Sequence, residues 1–234
     1  FIYKKIFRRL HYASSIEVAE MSKLVENSYR SVNIGLVNEL KVVCEKLKIN
    51  IHEVLDAAKT KPFGYVPFLP GPGVGGHCIP IDPIFISYAS KKKNYDVKFI
   101  NLARKINLNI TNWIVKKIIK SEKPKKIKLK ALIIGVAYKA EINDVRNSPA
   151  IQIMNSLLKN NYSVDFHDPY VDKINLEKRH YKSISINKCN QYDFAVICTD
   201  HKSLPLKLIK NRSNKIYDTR GVFKNLRDKK IVQC

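Results

Sequence analysis

Apolar residues recur along the first half of the chain at the three- and four-residue spacing that is typical of amphipathic helices. Ser14 and Glu17 have the spacing of a capping box, in which two side chains satisfy backbone N–H groups at the start of a helix. Asn50 and Glu53 repeat that spacing. The pattern therefore predicts a helical region up to about residue 121, with helices over about 14–47, 50–59, 83–89 and 99–119.

The second half of the chain changes to short apolar runs. Residues 131–136 (ALIIGV) are apolar throughout, as expected for a strand that is buried on both faces of a parallel sheet. Ser148 and Pro149 favour a helix start, with Ser as the N-cap and Pro at the first helical position. Strands alternating with a helix predict a doubly wound α/β domain, with a helix over 148–158 and strands over 131–136, 163–167, 194–199 and, more weakly, 215–217.

A charged segment separates the two halves. Residues 121–130 contain Pro124 and several lysines and have no apolar period, so they mark a domain boundary. We therefore expect a helical domain over 14–122, followed by a Rossmann-like domain over 123–234. The first strand of this second domain is followed only by Gly135 and not by the G-x-G-x-x-G pattern of dinucleotide-binding turns.

The formal net charge of +23 suggests nucleic acid as a possible partner. However, the lysines are spread along the chain, and no helix-turn-helix, zinc-finger or stacking-aromatic motif accompanies them. Residues 2–10 are apolar but are interrupted by four basic residues, so they predict neither a signal peptide nor a membrane span. We expect neither nucleic acid nor a membrane as a partner.

The five cysteines are odd in number and widely scattered, at positions 44, 78, 189, 198 and 234. They form no C-x-x-C pair and no Cys/His spacing of a zinc site, so we expect neither disulfides nor a metal. This cysteine usage is typical of a reducing cytoplasm. We expect Cys44 and Cys198, which lie in apolar segments, to be protected, and Cys234 to lie at a frayed terminus.

The segment from Gly71 to Pro83 (GPGVGGHCIPIDP) places one cysteine where a nucleophile would lie. Four glycines before Cys78 let the backbone turn sharply and approach a ligand closely. Asp82 and Pro83 predict a helix start with Asp82 as the N-cap, so the thiol would lie near the positive end of a helix dipole, which favours thiolate. We do not make the adjacent His77 its base, since neighbouring side chains in extended backbone point to opposite faces. The alternative is a glycine-rich turn that holds an unreactive cysteine.

Further polar residues are candidates for binding. Lys23 and Asn27 are four residues apart on the first long helix, so they share one face and can converge on one ligand. Residues 138–146 and Arg220 follow predicted strands, where a doubly wound sheet binds phosphates. For each of these basic residues taken alone, a solvent-facing charge is the favoured interpretation.

The order of these motifs resembles the UDP-glucose/GDP-mannose dehydrogenase family of nucleotide-sugar 6-dehydrogenases. The segments that carry the resemblance are AEMSKLVENSYR, NEL, TKPFGY, PGPGVGGHCIPIDP, GVAYKAEINDVRNSPA and DTRG, in this order between residues 19 and 221. The resemblance covers the family's central helical domain and its C-terminal UDP-binding domain. It implies that residues 1–13 are a remnant of an N-terminal NAD-binding domain that this chain lacks, and that the chain is a piece that does not turn over alone.

The resemblance also implies roles for individual residues. Cys78 matches a nucleophile that attacks a C6 aldehyde to give a thiohemiacetal, which is oxidised to a thioester and then hydrolysed. Lys23 and Asn27 match the pair that steadies the oxyanion, and Asp82 matches the residue that assists water or lysine. The residues implied for the UDP-sugar are Phe68, Pro70, Gly71, Val74, Gly75, Tyr138, Lys139 and Arg220, and those implied for NAD are Ile79, Pro80, Ile81 and Arg146.

The resemblance points to NAD as the cofactor, a homodimer formed through the central helices, and polysaccharide biosynthesis as the setting. The segments TKPFGY and PGPGVGGHCIPIDP are most similar to the branch that oxidises UDP-N-acetylglucosamine. UDP-N-acetylmannosamine and UDP-glucose remain alternatives, since few pocket contacts separate such sugars. A second hypothesis, of another class, is a non-catalytic module that binds UDP-sugar and dimerises.

Overall fold

The first half of the chain is helical, as the apolar periodicity predicts. The computed structural model describes residues 2–122, 128–176, 179–188 and 191–234. A short helix that we did not predict opens the chain, and four helices follow at the predicted places. Their bounds are α1 Ile2–Ile6, α2 Ile16–Lys46, α3 Ile51–Ala58, α4 Asp82–Lys91 and α5 Lys98–Ser121.

The helix starts correct two details of the sequence analysis. The N-cap of α2 is Ser15 and not Ser14, and its hydroxyl accepts a hydrogen bond of 3.3 Å from the backbone N–H of Val18. The prediction of Asp82 as the N-cap of α4 is wrong, because Ile81 occupies that position and Asp82 is the first helical residue. Asn50 does cap α3, through the backbone N–H of His52.

Helix α2 packs against both α4 and α5. At the crossing with α5, a Cβ on Gly35 would lie 3.2 Å from the backbone oxygen of Ala103, so the glycine permits the close approach of the two helices. Between α2 and α3 lies a small apolar cluster, with Val37, Cys44, Ile51 and Leu55 buried and the rings of Tyr65 and Phe68 packed against them.

The second half forms a parallel sheet of five strands in the order β2-β1-β5-β6-β7. This is the doubly wound arrangement that the alternating pattern predicts. Its strands are β1 Lys130–Ile134, β2 Ser163–His167, β5 Phe194–Ile197, β6 Ile216–Asp218 and β7 Ile231–Gln233. Helix α6, Pro149–Lys159, begins after Ser148, whose hydroxyl caps it as predicted.

Several elements of the second half were missed by the sequence analysis. A small antiparallel pair, β3 Lys173–Leu176 with β4 Arg179–Lys182, helix α7 Leu206–Arg212, the edge strand β7 and a short 3₁₀ turn at Ile186–Lys188 are too short or too polar to give a clear period. The charged segment proposed as a domain boundary includes residues 123–127, which lie outside the described residues. Cys189 is outside them as well.

Both faces of the sheet are covered. One face carries Ile133, Phe166 and Phe194 in a cluster with α6 and with the second half of α5, whose Ile110, Ile114 and Ile118 are buried there. The other face packs against α7 and the loops around it. Helix α5 thus belongs to both halves, because its first part packs on α2 and its second part completes the core of the sheet.

Candidate active site

Buried polar side chains of α2 bind the start of the glycine loop, which is the segment from Gly71 to Pro83. The backbone N–H of Gly71 donates to Asn38 Oδ1 at 3.0 Å, and the ammonium of Lys41 donates to the carbonyl oxygen of Gly71 at 3.2 Å. From α5, the hydroxyl of Thr111 donates to the carbonyl oxygen of Pro72 at 2.6 Å. The loop therefore starts from a fixed position between the two long helices.

Asn38 also belongs to a buried network that joins the two helices. Its amide nitrogen donates to Asn107 Oδ1 at 3.1 Å, and the amide of Asn107 donates to the backbone oxygen of Ser31 at 2.8 Å. Asn38 is completely buried and Asn107 is 6% exposed. Since buried amides are costly unless they are bonded, this network fixes α2 and α5 in one register beneath the loop.

The second domain binds the loop through hydrogen bonds to Gly76, two residues before Cys78. The backbone N–H of Gly76 donates to the carbonyl oxygen of Arg146 at 2.8 Å, and the amide of Asn147 donates back to the oxygen of Gly76 at 3.0 Å. The side chain of Tyr138 packs directly on this turn, because a Cβ on Gly75 would lie 2.6 Å from Tyr138 Cβ. Gly76 has a φ of +84°, which favours glycine. Glycine is therefore required at positions 75 and 76.

Cys78 is exposed at the end of this loop. Its carbonyl oxygen accepts hydrogen bonds from the backbone N–H groups of Ile81 at 3.1 Å and Asp82 at 2.8 Å, which join it to the first turn of α4. Asp82 Oδ2 accepts a hydrogen bond of 2.5 Å from the amide of Asn27, a buried residue of α2. Three of the four residues predicted to be catalytic thus lie in one connected group.

Lys23, the fourth, is placed differently. Its ammonium lies on the surface, 3.1 Å from Glu26 Oε2, and Glu26 also pairs with Arg30. The lysine therefore shares the helix with Asn27 but is bound to a neighbouring carboxylate instead of the Asn27–Asp82 pair.

Arg220 is positioned by a tight turn after β6. The carboxylate of Asp218 accepts from the backbone N–H groups of Arg220 at 3.0 Å, Gly221 at 2.8 Å and Phe223 at 2.8 Å. The guanidinium Nε then donates to the carbonyl oxygen of Cys198 at 2.8 Å. These contacts fix the base of the side chain and direct its guanidinium toward the glycine loop.

That guanidinium packs against Gly71, where a Cβ would lie 2.9 Å from Arg220 Nη1. Helix α3 supports the same turn, because the ring of His52 occupies the space beside Gly221 and Lys224 pairs with Asp56 at 2.6 Å. The structure therefore brings Gly71, Gly75, Tyr138 and Arg220 together at the junction of the two domains.

The other predicted binding residues surround this junction. Lys139 is exposed beside Tyr138, and Arg146 forms an ion pair of 2.6 Å with Asp144. The Asp144 carboxylate raises the pKa of Arg146, and the nearby Tyr138 and Cys78 groups act in the same direction. Phe68 contacts the ring of Tyr29, with centroids 5.8 Å apart. Pro70 is buried, and Val74, Ile79, Pro80 and Ile81 are half-buried along the loop.

The loop that carries Tyr138 and Lys139 follows β1, at the carboxyl edge of the sheet. In this strand order the direction in which successive strands are added to the sheet reverses between β1 and β5, which is where doubly wound sheets bind ligands. The buried carboxylate of Asp168 accepts from the backbone N–H groups of Val136 at 2.7 Å and Ala137 at 2.9 Å. His201 Nε2 lies 3.2 Å from the same carboxylate. Both residues shape the loop.

Sequence reasoning assigned no role to the buried polar residues that hold these loops. They are Asn38, Lys41, Asn107, Asp168 and His201. Asn38 lies in the NEL segment, but the apolar period of α2 gave no reason to expect a lysine in the interior at position 41. Their bonding partners are distant in sequence, so only the folded chain reveals them.

The cysteines divide by exposure. Cys78 is exposed, whereas Cys44 and Cys198 are buried, as predicted. The prediction that Cys234 lies at a frayed terminus is wrong, because it is 4% exposed and its backbone N–H donates to the oxygen of Asp218 at 2.9 Å. Burial raises the pKa of the Cys198 thiol to about 12 and that of Cys234 to about 11.

Within the described residues, no group of three or more His, Cys, Asp or Glu side chains has the arrangement of a metal site. No helix in the described part of the chain is both long and apolar enough to cross a membrane. The turn after β1 lacks the glycine pattern of a dinucleotide-binding turn. A Cβ on Gly135 would lie 2.6 Å from the side chain of Thr199, so this glycine permits the close approach of the turn after β1 to the segment after β5.

Comparisons with known proteins agree with this architecture. Residues 17–109 match the sequence profile of the UDP-glucose/GDP-mannose dehydrogenase family, central domain, and residues 132–225 match that of the family's UDP binding domain. A UDP-N-acetyl-D-mannosamine dehydrogenase of Methanococcus vannielii is 32% identical over 99% of this chain and 51% of its own length. A UDP-N-acetyl-D-glucosamine 6-dehydrogenase of Salmonella typhi is 35% identical over 86% of this chain and 48% of its own length.

Solved structures give the same result. The UDP-N-acetyl-mannosamine dehydrogenase of Staphylococcus aureus is similar to this chain with a TM-score of 0.75 and 30% identity, over 99% of this chain and 53% of that one. The UDP-D-ManNAc dehydrogenase of Pyrococcus horikoshii is similar with a TM-score of 0.76 and 28% identity, over 94% of this chain and 53% of that one. The chain spans about half the length of the curated relatives it matches. It belongs to the UDP-glucose/GDP-mannose dehydrogenase family and comprises that family's central and UDP-binding domains.

Proposed function

We propose that this chain binds a UDP-hexose and supplies the nucleophile for an NAD-dependent oxidation of the sugar C6 hydroxyl to a carboxylate. The observation that carries the proposal is the placement of the exposed Cys78 beside the Asn27–Asp82 pair, at the end of a loop fixed by both domains. The relatives named for UDP-N-acetylhexosamine dehydrogenation support the same reaction class.

In this proposal the UDP lies at the domain junction. Tyr138, Lys139 and Arg220 hold the uridine diphosphate, with the two cations compensating its charge. The sugar lies along the glycine loop, where the absence of side chains lets it reach Cys78. The lining residues of this sugar pocket are Phe68, Pro70, Gly71, Val74 and Gly75.

The covalent steps assign balanced chemistry to Cys78. The C6 hydroxyl first loses a hydride and a proton to give an aldehyde. The thiolate of Cys78 then forms a C–S bond to that carbon, and the resulting oxyanion takes up a proton as a thiohemiacetal. Loss of a second hydride and proton gives a thioester. Water attacks its carbonyl carbon, the C–S bond breaks, and the thiolate leaves as the sugar acid is released.

The charged and polar neighbours act on the oxygen that becomes negative. The Asn27 amide and the Lys23 ammonium donate to this oxyanion, and Asp82 orients Asn27 and assists the attacking water. Since Lys23 is bound to Glu26 here, we propose that it changes partner when the sugar binds.

NAD⁺, when bound, accepts one hydride at each oxidation, so that one sugar acid requires two molecules. Within this chain, Ile79, Pro80 and Ile81 lie next to the reacting cysteine, and Arg146 provides a cation near the same cysteine. These residues would enclose the nicotinamide end and keep water from the aldehyde until Cys78 has attacked it. The remainder of an NAD site has no counterpart in the described residues.

We propose UDP-N-acetylglucosamine as the substrate, with UDP-N-acetylmannosamine and UDP-glucose as alternatives. The test is calorimetric titration of the chain with each nucleotide sugar, followed by assay of NAD⁺ reduction in a protein that also carries an NAD-binding domain. We expect two NADH per sugar acid, and we expect Cys78→Ser to stop the reaction at or before the aldehyde, since a hydroxyl is a poorer nucleophile at neutral pH. Full oxidation by Cys78→Ser at the unaltered rate would refute the covalent mechanism.

The second hypothesis is a UDP-sugar-binding and dimerising module without catalysis. The observation that favours dimerisation is an exposed apolar stripe on α2, whose members recur at intervals of four, three and four residues: Leu36, Leu40, Val43 and Leu47. A stripe with this spacing suits pairing with the same helix of a second copy, as an isologous contact. If the chain binds UDP-sugar and dimerises, but the longer protein makes no NADH, this hypothesis replaces the first.

A further inference from the structure

Lys41 is a buried lysine that pairs with no carboxylate among the described residues. It lies on α2, is 4% exposed, and donates its described hydrogen bond to the carbonyl oxygen of Gly71. Its other described neighbour is the ring of Trp113, whose centroid lies 6.0 Å from the ammonium nitrogen. An ammonium has three donors, so one neutral acceptor and one distant ring satisfy it poorly. Glu45, one turn further along α2, is instead bound by Lys117 at 2.5 Å. Among the described residues, Lys41 forms no ion pair.

A second cation lies on the other side of the same glycine. The guanidinium of Arg220 packs on Gly71. Its carboxylate neighbour, Asp200, is 3.8 Å away and about half exposed to solvent, so it compensates the charge weakly. Lys41 and Arg220 therefore repel each other across one residue of the loop.

The surroundings of Lys41 oppose its charge. Burial, above all, lowers the pKa of Lys41 to about 7; Arg220 and Lys117 act in the same direction, whereas Cys234 and Glu45 oppose it. Lys41 also lines a cavity of about 310 Å³ between α2, α3 and β7. The charged or titratable groups facing it are Glu45 on α2, His52 on α3, Lys117 on α5, Arg220 after β6 and Cys234 after β7.

We propose that Lys41 takes up a proton when the diphosphate of a nucleotide sugar binds to Arg220, so that this buried lysine makes nucleotide affinity depend on pH. The inference rests on the proposed function, since it takes Arg220 as a ligand of the diphosphate. The two negative charges of the ligand cancel the charge of Arg220 and reverse the field at Lys41. The hydrogen bond from the protonated Lys41 to the carbonyl oxygen of Gly71 then becomes stronger, because it is charge-assisted.

The coupling is reciprocal, as any linkage of two binding events must be. Suppose that the ligand raises the pKa of Lys41 by about one unit. The affinity for the nucleotide then falls about tenfold as the pH rises from below the pKa of Lys41 in the ligand-free chain to above its pKa in the complex. Near pH 7.5, the same shift corresponds to uptake of about half a proton per ligand bound. Both the pH dependence of affinity and the proton uptake depend on the Lys41 amine, so a substitution that removes this amine should abolish them.

The test is isothermal titration calorimetry of the chain with UDP-N-acetylglucosamine, in buffers that differ in ionisation enthalpy. This ligand carries no phosphate group that titrates near neutral pH, so proton uptake reports on the protein. All variants carry Cys78→Ala, which removes the exposed thiol from the measurement. We expect uptake of about half a proton with Lys41 present and none in Lys41→Met.

Two further variants make the outcome specific. Lys41→Arg keeps a cation that stays protonated, so it should bind the nucleotide without proton uptake even if Lys41→Met fails to fold. Lys48→Met, which alters an exposed lysine at the same cavity, should leave the uptake unchanged. Proton uptake that persists in Lys41→Arg, or is absent with Lys41 present although the nucleotide binds, would overturn the inference. Failure of the chain to bind any UDP-sugar would instead contradict the proposed function.

Discussion

The backbone N–H of Gly76, two residues before Cys78, donates a hydrogen bond of 2.8 Å to the carbonyl oxygen of Arg146. This bond joins the glycine loop of the first domain to the second domain. The partner segment also supplies Asn147, whose amide bonds the oxygen of Gly76. The nucleophile is therefore positioned by the contact between domains as well as by its own loop. Changes at this contact should alter the chemistry at Cys78 without touching the thiol.

We expect Gly75→Ala to separate the loop from the second domain. Its Cβ would lie 2.6 Å from Tyr138 Cβ and 3.0 Å from the backbone oxygen of Asn147, so the loop must move. Such overpacking costs about 1–3 kcal/mol of stability, and here we also expect weaker UDP-sugar binding, measured by calorimetry. Gly64→Ala is the control for backbone strain without a steric clash, since its φ is +75° and nothing lies within 4 Å of its added Cβ. Equal loss of UDP-sugar affinity in both variants would contradict the contact.

Among the four cysteines that the structure describes, Cys78 should be the one that alkylates first in the folded chain. Cys44, Cys198 and Cys234 are at most 9% exposed, and the raised pKa values of Cys198 and Cys234 keep those two protonated. Limited alkylation followed by mass mapping tests this order, with the urea-unfolded chain as a control in which all thiols label. Preferential labelling of a buried cysteine would rule out Cys78 as the nucleophile.

Asn27→Ala should destabilise the chain by about 1–3 kcal/mol, because Asp82 loses its partner in a partly buried position. Lys23→Ala, four residues earlier on the same helix, removes an exposed ion pair and should cost about 0.5 kcal/mol or less. Urea denaturation of the two variants measures the difference. Similar losses in both would mean that the Asn27–Asp82 bond contributes little to the fold.

The stability of the folded chain should increase between about pH 7 and pH 8.5 through Lys41. An unfolded lysine keeps its proton up to about pH 10.4, whereas the pKa of Lys41 in the folded chain is about 7, so the unfolded state binds more protons in this range. Relative to Lys41→Met, the free energy of unfolding should rise by about 1–2 kcal/mol over this range.

Urea denaturation of both proteins at the two pH values measures this rise. The buried thiols act in the opposite direction at higher pH, but they do so equally in both proteins and cancel in the comparison. Parallel pH dependences would show that Lys41 keeps its ordinary proton affinity.

The exposed stripe of α2 should hold two copies of the chain together. Leu40→Glu places a carboxylate in the middle of the stripe, where a symmetric contact would bring it close to its own copy, so we expect a monomer. Leu226→Glu, which alters an exposed leucine of the second domain, should leave the dimer intact. Sedimentation at micromolar concentration compares them. If the unsubstituted chain sediments as a monomer, the dimer proposal is wrong.

The amino-acid sequence by itself determined the elements whose signals are local. The apolar period fixed α2 and α5, the all-apolar run fixed β1, and Ser148 with Pro149 fixed the start of α6. Its motif order also established the family, because several spaced segments agree at once. The short strands β3, β4 and β7 were not predictable, since they depend on neighbours that complete their hydrogen bonds.

Only the tertiary structure decided how the site is held. Asp82 is the first residue of α4 and bonds Asn27, a contact across 55 residues that no local pattern encodes. Lys41 was indistinguishable from the many solvated lysines of the chain, and only the packing of α2 beneath the glycine loop buries it. Burial and long-range pairing arise when distant segments meet, because the free energy of a charge depends on what surrounds it and not on its sequence neighbours.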